Sequence, residues 1–425
     1  FLTWKKAYNN DKALAHIKQD IPSGFFNLFN PAYRICWVVY STSMCGGMKY
    51  IAEITNKINE NGGDARVALI KRQPDGPVEV LPELRSAPIV FDSVEHFLAH
   101  FTHRVFAQGT VVAATSELVP PVVELTKIND KLKSILHVQS YEPDMVDKPE
   151  VKEKLRGLYK KIPNVISNSS WITKKLEAAG VKPFATIPPG VDLNLFYNRG
   201  RENGDDRPTV MLPLNKHYEY RGYNRGLFLI QELERKAEEL DIELRILVYG
   251  VDTIPIKSGA ICLGGIPQVQ LAKTLGTEVD VFIDPSYEHS YGMPALEALA
   301  SGVTVVSWDN KGINEYLQDG ITGRIFDANA EPAEVANEIL SQLTSKENVH
   351  YIHNLLELDV LKQHNRDVNV DTFIEAVEQQ LNLSSSMKRI VFVTPHMRKH
   401  GGPTTIINYA EALAELGHDV SITTI

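Results

Sequence analysis

The stretch DVFIDPSYEHSYGMPALEALASG, from Asp280 to Gly302, decides the fold of this chain. It opens with the apolar residues of a buried strand, passes through a polar loop and continues as an amphipathic helix beginning near Gly292-Met293-Pro294. Open α/β sheets place their ligands where strands end and helices begin. The N–H groups and dipole of a helix N-terminus favour an anion there, and glycine permits close approach of the backbone. We therefore expect this loop to bind a phosphate-bearing ligand.

Length and composition describe an ordinary globular chain of two to three domains, with 425 residues, 43% hydrophobic and 23% charged. The formal net charge of −9 argues against a nucleic-acid partner. Cys36, Cys45 and Cys262 lie far apart without disulfide or metal-ligand spacing, which indicates a reducing compartment. No apolar run approaches the roughly 20 residues that span a bilayer, and no signal peptide is evident. We expect a soluble cytoplasmic protein, with peripheral membrane contact left open.

Strand and helix patterns alternate on both sides of the opening stretch. ICWVVY, from Ile35 to Tyr40, is a near-continuous apolar run typical of a strand buried on both faces, and a Gly-Gly loop and an amphipathic helix follow it. The other predicted strands are ARVALI, APIVF, VVAAT, SILHVQ and NVISNS before residue 200, and PTVMLPL, LRILVYG, VFI, TVVSWD and RIFD after it. The segment AICLGG, between LRILVYG and the next helix pattern, is given no element type. This alternation predicts an α/β chain with doubly wound parallel sheets.

The polar stretch RENGDDRP, from Arg201 to Pro208, has the composition of a hinge between two halves. The predicted segments are an N-terminal extension or tail of an upstream module (1–29), an N-terminal Rossmann-like domain (30–200), a C-terminal Rossmann-like domain with a returning C-terminal helix (201–383), a linker (384–386) and a further strand–helix–strand unit (387–425).

The last predicted segment repeats the plan of the first βαβ unit. MKRIVFVT, a loop with Gly401 and Gly402, a helix pattern and DVSITT follow one another as in residues 34–70. A circular permutation would require the first half to lack this unit, and it does not. Because the chain also starts at Phe1 and stops at Ile425 within a strand pattern, we expect a fragment of a tandem protein with a second, truncated module.

Several motifs stand in a fixed order over roughly residues 30–383. They are the first Gly-Gly loop, SNSSWITKKL, IPPGVDLNLF, SYGMPALEALASG and NEYLQDGITGRIF. In this order they resemble the glycosyltransferases of family 4 (glycosyl transferases group 1), whose GT-B fold has two Rossmann-like domains facing a cleft. YRGYNRG resembles the family's basic phosphate segment. HVQSYEP and the His-Ser-Tyr-Gly loop resemble its bacterial rhamnosyltransferase-like branch.

The resemblance implies a retaining glycosyltransferase that uses neither metal nor cofactor. A sugar would pass from a nucleotide-diphosphate donor, of dTDP or UDP type, to a saccharide or lipid-linked glycan acceptor. The donor would lie mainly on the second half and the acceptor mainly on the first. The implied setting is bacterial cell-surface polysaccharide synthesis, in the cytoplasm or at the inner face of the plasma membrane. The second glycosyltransferase module of the same chain would be a partner, and nucleic acid would not.

Two acidic positions of the family motif fall in the opening stretch. Glu297, in the first turns of the predicted helix, would accept both ribose hydroxyls, and the alternative is a carboxylate that only stabilises the helix dipole. The family motif has two Glu residues separated by seven residues. If Glu297 is the second of them, the position of the first is occupied by His289 in this chain. A neutral imidazole cannot supply a negative charge beside an oxocarbenium ion. Three readings are open: His289 takes the role of the first Glu, the adjacent Glu288 reaches into the donor site in its place, or the donor site is weak. The alternative to all three is that His289 is a solvated loop histidine without a role in binding.

Basic residues follow the first strand of the second half. Arg221 and Arg225 in YRGYNRG offer forked donors for a leaving diphosphate, with Lys216 as a helper. The alternative is a solvated basic loop.

Further candidates come from loops and strand ends. Gly46 and Gly47 would let the backbone approach the donor, although any tight turn uses such a pair. His137, at the end of SILHVQ, would contact the donor sugar or be a core histidine. The remaining donor-binding candidates are the loop residues Ser290 and Tyr291 and the N–H groups of Gly292 and Met293. The candidates for lining the acceptor pocket are Gln139, Tyr141 and Glu142. Glu315 would either contact the nucleotide or cap a helix.

Two other functions are compatible with these residues. A non-catalytic module that binds nucleotide or glycan as a scaffold would explain the missing first Glu. An α-glycoside phosphorylase would use the same fold, and its sugar release would require inorganic phosphate. Fold alone does not separate these from a transferase, because function depends on the site.

Overall fold

The computed structural model describes residues 34–42, 46–60, 63–73, 78, 80–201, 207–217, 219–344, 359–381, 389–394, 410 and 419–424. The predicted N-terminal segment 1–29, the linker 384–386 and most of the predicted hinge lie outside these residues.

The first sheet contains seven strands in the order β3-β2-β1-β4-β5-β6-β7. The strands are β1 (Arg34–Val39), β2 (Asp64–Ile70), β3 (Ile89–Phe91), β4 (Gly109–Ala113), β5 (Leu132–Val138), β6 (Val165–Ser167) and β7 (Ala185–Thr186). β1 pairs in parallel with β2 on one side and β4 on the other. Its residues from Ile35 to Val39 are buried, as a strand covered on both faces requires.

Helices connect these strands, as the alternating pattern predicts. They are α1 (Gly46–Glu60), α2 (Val94–Arg104), α3 (Val119–Ile128), α4 (Pro149–Tyr159) and α5 (Ser170–Ala178). The helix predicted to open with Ser170 as its cap has Ser169 in that role, since the Ser169 side chain accepts from the N–H of Ile172. Strand β7 is an addition that the sequence patterns did not predict.

The second sheet has the order β10-β9-β8-β11-β12-β13, which is the dinucleotide-fold order 3-2-1-4-5-6. Its strands are β8 (Thr209–Pro213), β9 (Arg245–Tyr249), β10 (Ile261–Cys262), β11 (Val281–Asp284), β12 (Thr304–Trp308) and β13 (Gly323–Phe326), and β11 pairs in parallel with both β8 and β12. The strand order reverses between β8 and β11. Ligands of such sheets bind at this switch point, beyond the carboxyl ends of the two strands.

Two apolar layers cover the two faces of the second sheet. Along β11, Phe282 packs in one layer while Val281 and Ile283 pack in the other, so alternate residues face opposite sides. The flanking helices are α6 (Tyr223–Glu239), α7 (Gln268–Glu278), α8 (Met293–Ala300) and α9 (Pro332–Thr344). The sequence pattern predicts a last helix from Asp371 to Leu381, and the structure begins this helix, α10 (Arg366–Gln380), five residues earlier.

The described residues divide into two compact units. One comprises the described residues up to Leu136, Lys161–Asn164 and the described residues from Ile374 onward, and the other those of His137–Lys160 and Val165–Phe373. The predicted domain boundary between residues 200 and 201 stays a prediction.

Near the end of the chain, β14 (Arg389–Thr394) and β15 (Asp419–Thr424) pair in parallel with one another. The helix predicted between them lies outside the described residues except at position 410. A second module therefore also stays a prediction.

Candidate functional site

The loops that follow β8 and β11 contact each other at the switch point of the second sheet. Gly222 has φ +69°, and a Cβ atom there would lie 1.9 Å from the carbonyl oxygen of Pro285, so only glycine fits. The N–H of Tyr287 donates to the carbonyl of Tyr220 at 2.8 Å. This close approach brings the loop containing Arg221 against the loop containing His289.

His289 is buried between these loops and a third that follows β12. Its N–H donates to the carbonyl of Asn310 at 2.9 Å. Its Nε2 lies 2.9 Å from Oγ of Ser286 and 3.5 Å from Oδ2 of Asp284. Nη1 of Arg221 lies 2.5 Å from Nδ1 and 2.7 Å from Nε2. The histidine that replaces the expected Glu is therefore packed between a carboxylate and a guanidinium.

Asp284 ends β11 as a buried carboxylate. Oδ1 accepts from the N–H of Ser286 at 3.1 Å, and Oδ2 accepts from Nδ2 of Asn310 at 2.9 Å. Burial acts to raise the pKa of Asp284, but the neighbouring His289 and the Ser286 hydrogen bonds outweigh it and hold the pKa below its ordinary value. Asp284 is therefore an anion at neutral pH.

The pKa of His289 is lowered, chiefly because burial disfavours the imidazolium. The Asp284 charge acts in the opposite sense, and the Arg221 charge lowers the pKa further. His289 is consequently neutral at pH 7.

The third loop is strained where it supports His289. Lys311 has φ +73° and ψ −57°, and the N–H of Gly312 donates to the carbonyl of Asn310 at 2.9 Å. These values describe a γ-turn of a rare and strained kind, which persists only when its surroundings enforce it. A Cβ on Gly312 would lie 2.5 Å from the backbone nitrogen of Tyr291, so the turn is pressed against the loop after β11.

Glu297 lies in α8, with only 7% of its surface exposed. Its Oε1 accepts from Nε2 of Gln268, in α7, at 3.1 Å. Among the described residues, the buried hydroxyl of Tyr249, at the end of β9, has no hydrogen-bond partner. Burial, then the Glu297 charge, raises the pKa of Tyr249. Glu297 is thus held on α8 by a side chain of α7, close enough to Tyr249 for its charge to act there.

Arg225 differs from Arg221 in its surroundings. Its guanidinium lies 3.9 Å from the Tyr287 ring centroid and 4.7 Å from that of Trp308, and Nη2 donates to the carbonyl of Ala328 at 2.7 Å. Burial lowers its pKa. Its Nη1 also donates to the carbonyls of Pro285 and Ser286 in the loop after β11, each at 3.5 Å. Arg225 thus bonds backbone carbonyls, whereas the Arg221 guanidinium contacts the ring of His289. Lys216 is exposed.

The start of α8 is shaped by the residues just before it. Gly292 has φ +84°, and its carbonyl accepts from the Tyr316 hydroxyl at 2.5 Å. Met293 is the first residue of the helix. Tyr291 belongs to the apolar core, and its hydroxyl lies 2.5 Å from Nδ1 of His364. The Tyr291 side chain is thus structural here.

Glu288 and Ser290 flank His289 in the sequence, but the groups near their side chains differ from those around the His289 ring. Burial and the charge of Asp144 raise the pKa of Glu288, which Lys175 and Lys311 oppose. Ser290 donates to the hydroxyl of Ser140 at 3.0 Å. The Ser290 side chain therefore contacts the segment after β5, and the charge of Asp144 from the same segment acts on Glu288.

His137 is fully buried in β5, and burial lowers its pKa to about 3. Its ring lies 6.0 Å from that of Phe373. These surroundings are those of the core alternative. Gly46 and Gly47 form the first turn of α1, and Gly46 has open space where a Cβ would stand.

The acceptor candidates have local roles in the structure. The carbonyl of Gln139 accepts from Asn168 at 3.0 Å, Tyr141 is buried, and a Glu142 oxygen accepts from the Tyr159 hydroxyl at 3.4 Å. Glu315 accepts from the Ser170 hydroxyl at 2.6 Å and the Trp171 N–H at 3.2 Å, which makes it a cap of α5.

Sequence reasoning missed Asp284, Ser286, Asn310, Gln268 and Tyr249. Polar residues directly after apolar strands were the available indication for Asp284 and Asn310, because parallel strands end at one sheet edge. No pattern indicated Gln268, whose position depends on how α7 packs beside α8.

The described residues contain neither a helix suited to crossing a membrane nor a cluster of three or more His, Cys, Asp or Glu side chains arranged for a metal ion.

Comparison with known proteins identifies related sequences. The family Glycosyl transferases group 1 matches residues 231–354. D-inositol 3-phosphate glycosyltransferase of Arthrobacter sp. (strain FB24) is 27% identical over 216 residues, which are 46% of this chain and 51% of that protein. The enzyme of the same name from Nocardiopsis dassonvillei is 27% identical over 265 residues, 54% of this chain and 58% of that one. The chain thus spans about half the length of the curated relatives it matches.

Solved structures show the same fold. Anabaena Alr3699/HepE in complex with UDP and glucose has a TM-score of 0.65 at 15% identity, covering 81% of this chain and 99% of its own. Sucrose-phosphate synthase from Thermosynechococcus elongatus has a TM-score of 0.63 at 16% identity, covering 82% and 99%. With the two parallel sheets, these matches give the fold class that the sequence predicts. The chain therefore resembles the glycosyl transferases group 1 over residues 231–354, and its fold is that of these solved GT-B structures.

Proposed function

We propose that this chain transfers a sugar from a nucleotide-diphosphate donor to a glycan acceptor, with retention of configuration and without a metal ion. The observation that carries the proposal is the buried Glu297 in the helix that follows β11, held by a hydrogen bond from Gln268. The order of motifs supports it, as does the UDP in the Anabaena HepE structure. We extend the proposal to a UDP- or dTDP-type donor and to cytoplasmic synthesis of bacterial surface polysaccharide. Peripheral membrane association and a second module in the same chain also belong to it.

The nucleotide is recognised through Glu297, whose carboxylate accepts hydrogen bonds from both ribose hydroxyls. A carboxylate with two acceptor oxygens matches a vicinal diol, and charge-assisted hydrogen bonds are stronger than neutral ones. The fixed position of Glu297 beside Gln268 reduces the entropy lost on binding.

The leaving diphosphate is stabilised by Arg221 and by the N–H groups at the start of α8. As the bond between the anomeric carbon and the phosphate oxygen breaks, negative charge grows on the diphosphate, where a guanidinium and a helix N-terminus are favourable. The acceptor hydroxyl attacks the anomeric carbon on the face that the diphosphate leaves. Its proton passes to the departing phosphate oxygen, which completes the transfer with retention.

The direct test compares wild type with Glu297→Gln and Glu297→Ala. We expect the dissociation constant for UDP or dTDP to rise about 10- to 100-fold, because a charge-assisted hydrogen bond contributes roughly 1.5–3 kcal/mol. Isothermal titration calorimetry measures it. Glu238→Gln, an exposed carboxylate on α6, is the matched control and should bind as wild type does.

A panel of nucleotide sugars and acceptors then separates the three functions. Transfer to a glycan supports the proposal. Nucleotide binding with neither transfer nor donor hydrolysis would identify a scaffold, and sugar release that requires inorganic phosphate would identify a phosphorylase. Unchanged nucleotide affinity in both Glu297 variants would refute the proposed donor site.

A further inference from the structure

We propose that His364 is a positioning residue which, through the hydroxyl of Tyr291, fixes the start of α8 in the conformation that binds the diphosphate. The inference rests on the proposed function, in which the N–H groups at the start of α8 face the leaving diphosphate. His364 acts on this helix from a distant part of the chain, since 73 residues separate it from Tyr291.

The rings of Tyr291, Tyr316 and His364 form a ring cluster beside the start of α8. The centroids of the two tyrosine rings lie 5.5 Å apart, and each lies 5.9 Å from the centroid of His364. All three side chains are buried. Aromatic rings at such separations attract one another in addition to the area that they bury. The ring cluster is therefore a packed unit, and both tyrosines belong to the apolar layer that contains Phe282.

The two tyrosine hydroxyls contact different polar atoms. Oη of Tyr291 lies 2.5 Å from Nδ1 of His364, and Oη of Tyr316 donates to the carbonyl of Gly292 at 2.5 Å. A phenol hydroxyl can donate or accept, so the first of these hydrogen bonds forms with either tautomer of a neutral imidazole. Removing the Tyr291 hydroxyl would leave a buried ring nitrogen without this partner, which is unfavourable.

The carbonyl of Gly292 is the point at which the ring cluster acts on α8. Besides the Tyr316 hydroxyl, it accepts from the N–H of Ala295 at 3.2 Å and from the N–H of Leu296 at 3.3 Å, which closes the first turn of the helix. Gly292 has φ +84°, a conformation in which glycine has wide freedom unless its neighbours fix it. Because Tyr291 immediately precedes Gly292, a fixed Tyr291 ring also fixes the direction of the first N–H groups of α8.

His364 is itself held by backbone hydrogen bonds. Its N–H donates to the carbonyl of Val360 at 3.1 Å, and its carbonyl accepts from the N–H of Val191 at 2.8 Å. The carbonyl of Val191 accepts in turn from the N–H of Arg366 at 3.0 Å. A Cβ on Gly190, which has φ +72°, would lie 2.7 Å from the backbone of Arg366, so the two segments are in close contact. The imidazole is thus attached to a backbone that is bonded on both sides.

The His364 ring is neutral at pH 7. Burial lowers its pKa, and the charge of Glu315 and a hydrogen bond to the Glu315 backbone act in the opposite sense without outweighing burial. A neutral imidazole can lie against the two tyrosine rings without the cost of burying a charge. It therefore keeps the hydrogen bond to Tyr291 under the conditions of an ordinary assay.

The central experiment compares UDP with uridine as ligands of wild type and of Tyr291→Phe, which removes a single oxygen atom. Uridine has the ribose that Glu297 binds but lacks the diphosphate. We expect the dissociation constant for UDP to rise about 3- to 10-fold, the size of one neutral hydrogen bond, and that for uridine to change less than about twofold. Calorimetry measures UDP directly and uridine by competition with it.

Tyr197→Phe, an exposed tyrosine outside the ring cluster, is the matched control and should bind both ligands as wild type does. Equal changes for UDP and uridine in Tyr291→Phe, or no change for either, would overturn the proposal.

His364→Phe tests the other end of the same hydrogen bond. It should reproduce the selective loss of UDP affinity, and its combination with Tyr291→Phe should lose no more than the larger single loss, because both changes remove one interaction. Losses that multiply in the double variant would contradict the proposal. Should His364→Phe fail to fold, Tyr316→Phe takes its place, since it removes the hydroxyl from the Gly292 carbonyl. The absence of a selective UDP loss in that variant would count against the ring cluster.

Hydrogen exchange separates this inference from the proposed function, because it is measured without a ligand. The amides of Ala295 and Leu296, which donate to Gly292, should exchange at least about threefold faster in Tyr291→Phe than in wild type, while those of α9 keep their rates. Unchanged rates in α8, or equal acceleration in α9, would defeat the positioning role alone. The expected exchange together with no transfer from any nucleotide sugar would defeat the proposed function alone.

Discussion

His137 and His289 are both buried, but they differ in what surrounds their rings. His137 lies in β5 against Phe373, and burial alone accounts for its low pKa. His289 lies between an anion and a cation in a network of hydrogen bonds. The same residue type is thus a core side chain at one position and part of a site at the other.

His137 should make the stability of the protein depend on pH. Its folded pKa of about 3 lies below the value near 6.5 of an unfolded chain. Between these values the unfolded state binds the extra proton, so stability is full above pH 6.5 and falls by roughly 1.4 kcal/mol per unit as pH decreases. Thermal midpoints between pH 7 and 4 should therefore fall less steeply in His137→Gln than in wild type.

The control for this experiment is His103→Gln, an exposed histidine at the end of α2. In this variant the thermal midpoint should fall with decreasing pH as steeply as in wild type. If the midpoint of His137→Gln also fell as steeply as in wild type, His137 would not take up a proton on unfolding in this pH range.

Gly222 should not tolerate a side chain. Alanine there would need φ near +69° and would place Cβ 1.9 Å from the Pro285 carbonyl. We expect Gly222→Ala to lower the unfolding free energy by at least about 2 kcal/mol, and to weaken UDP binding because the loops after β8 and β11 must separate. Gly157→Ala, inside α4 with open space at Cβ, should instead stabilise by about 0.5–1 kcal/mol. A wild-type melting temperature in Gly222→Ala would contradict this.

At the scale of elements, α5 has two caps from different parts of the chain. Ser169 accepts from the N–H of Ile172, and Glu315, from the loop after β12, accepts from the N–H of Trp171. The sequence predicts a serine cap at this place but one residue late, at Ser170. The second cap depends on tertiary structure, because 144 residues separate its partners.

We expect Glu315→Ala to destabilise the protein by about 1 kcal/mol through loss of this cap. Affinity for UDP should stay within about twofold of wild type. Glu334→Ala, an exposed carboxylate in the first turn of α9, should cost only a few tenths of a kcal/mol. A large loss of UDP affinity with unchanged stability would instead support the nucleotide contact considered for Glu315.

At the scale of the whole molecule, the start of α10 is bonded within the second unit. The N–H of Arg366 donates to the carbonyl of Val191 at 3.0 Å, its guanidinium lies 3.0 Å from Asp192, and Phe373 is fully buried. These contacts anchor the helix, and its assignment to the C-terminal domain stays a prediction. Strands β14 and β15, in contrast, pair with one another.

These contacts predict different results for two truncations. Ending the chain at residue 383 should preserve the thermal midpoint and UDP affinity, because the bonds of α10 remain. Ending it at residue 363 should yield insoluble protein or a midpoint lower by many degrees, because the Phe373 side chain leaves a cavity worth about 3–5 kcal/mol. Equal stability of the two shortened chains would show that α10 does not support the fold.

Much of the architecture could be predicted because it depends on local patterns. Apolar runs such as ICWVVY and VFI marked the buried strands, and glycine and proline marked the start of α8. The site was only partly predictable. Glu297 follows from its place in a motif, whereas the surroundings of Arg225 and Tyr291 depend on Trp308 and His364, which lie far away in the chain.

The sequence by itself determined the α/β class, the order of strands and helices, and the carboxylate at position 297, because these depend on periodicity and on the spacing of neighbouring residues. Only the tertiary structure decided which residues surround the loop after β11. It placed the Asp284 carboxylate and the Arg221 guanidinium next to the ring of His289, and it placed Asn310 in a hydrogen bond with Asp284. The physical reason is that pKa values and tautomers depend on burial and on charges a few ångströms away, and those neighbours come from three loops brought together at one edge of the sheet.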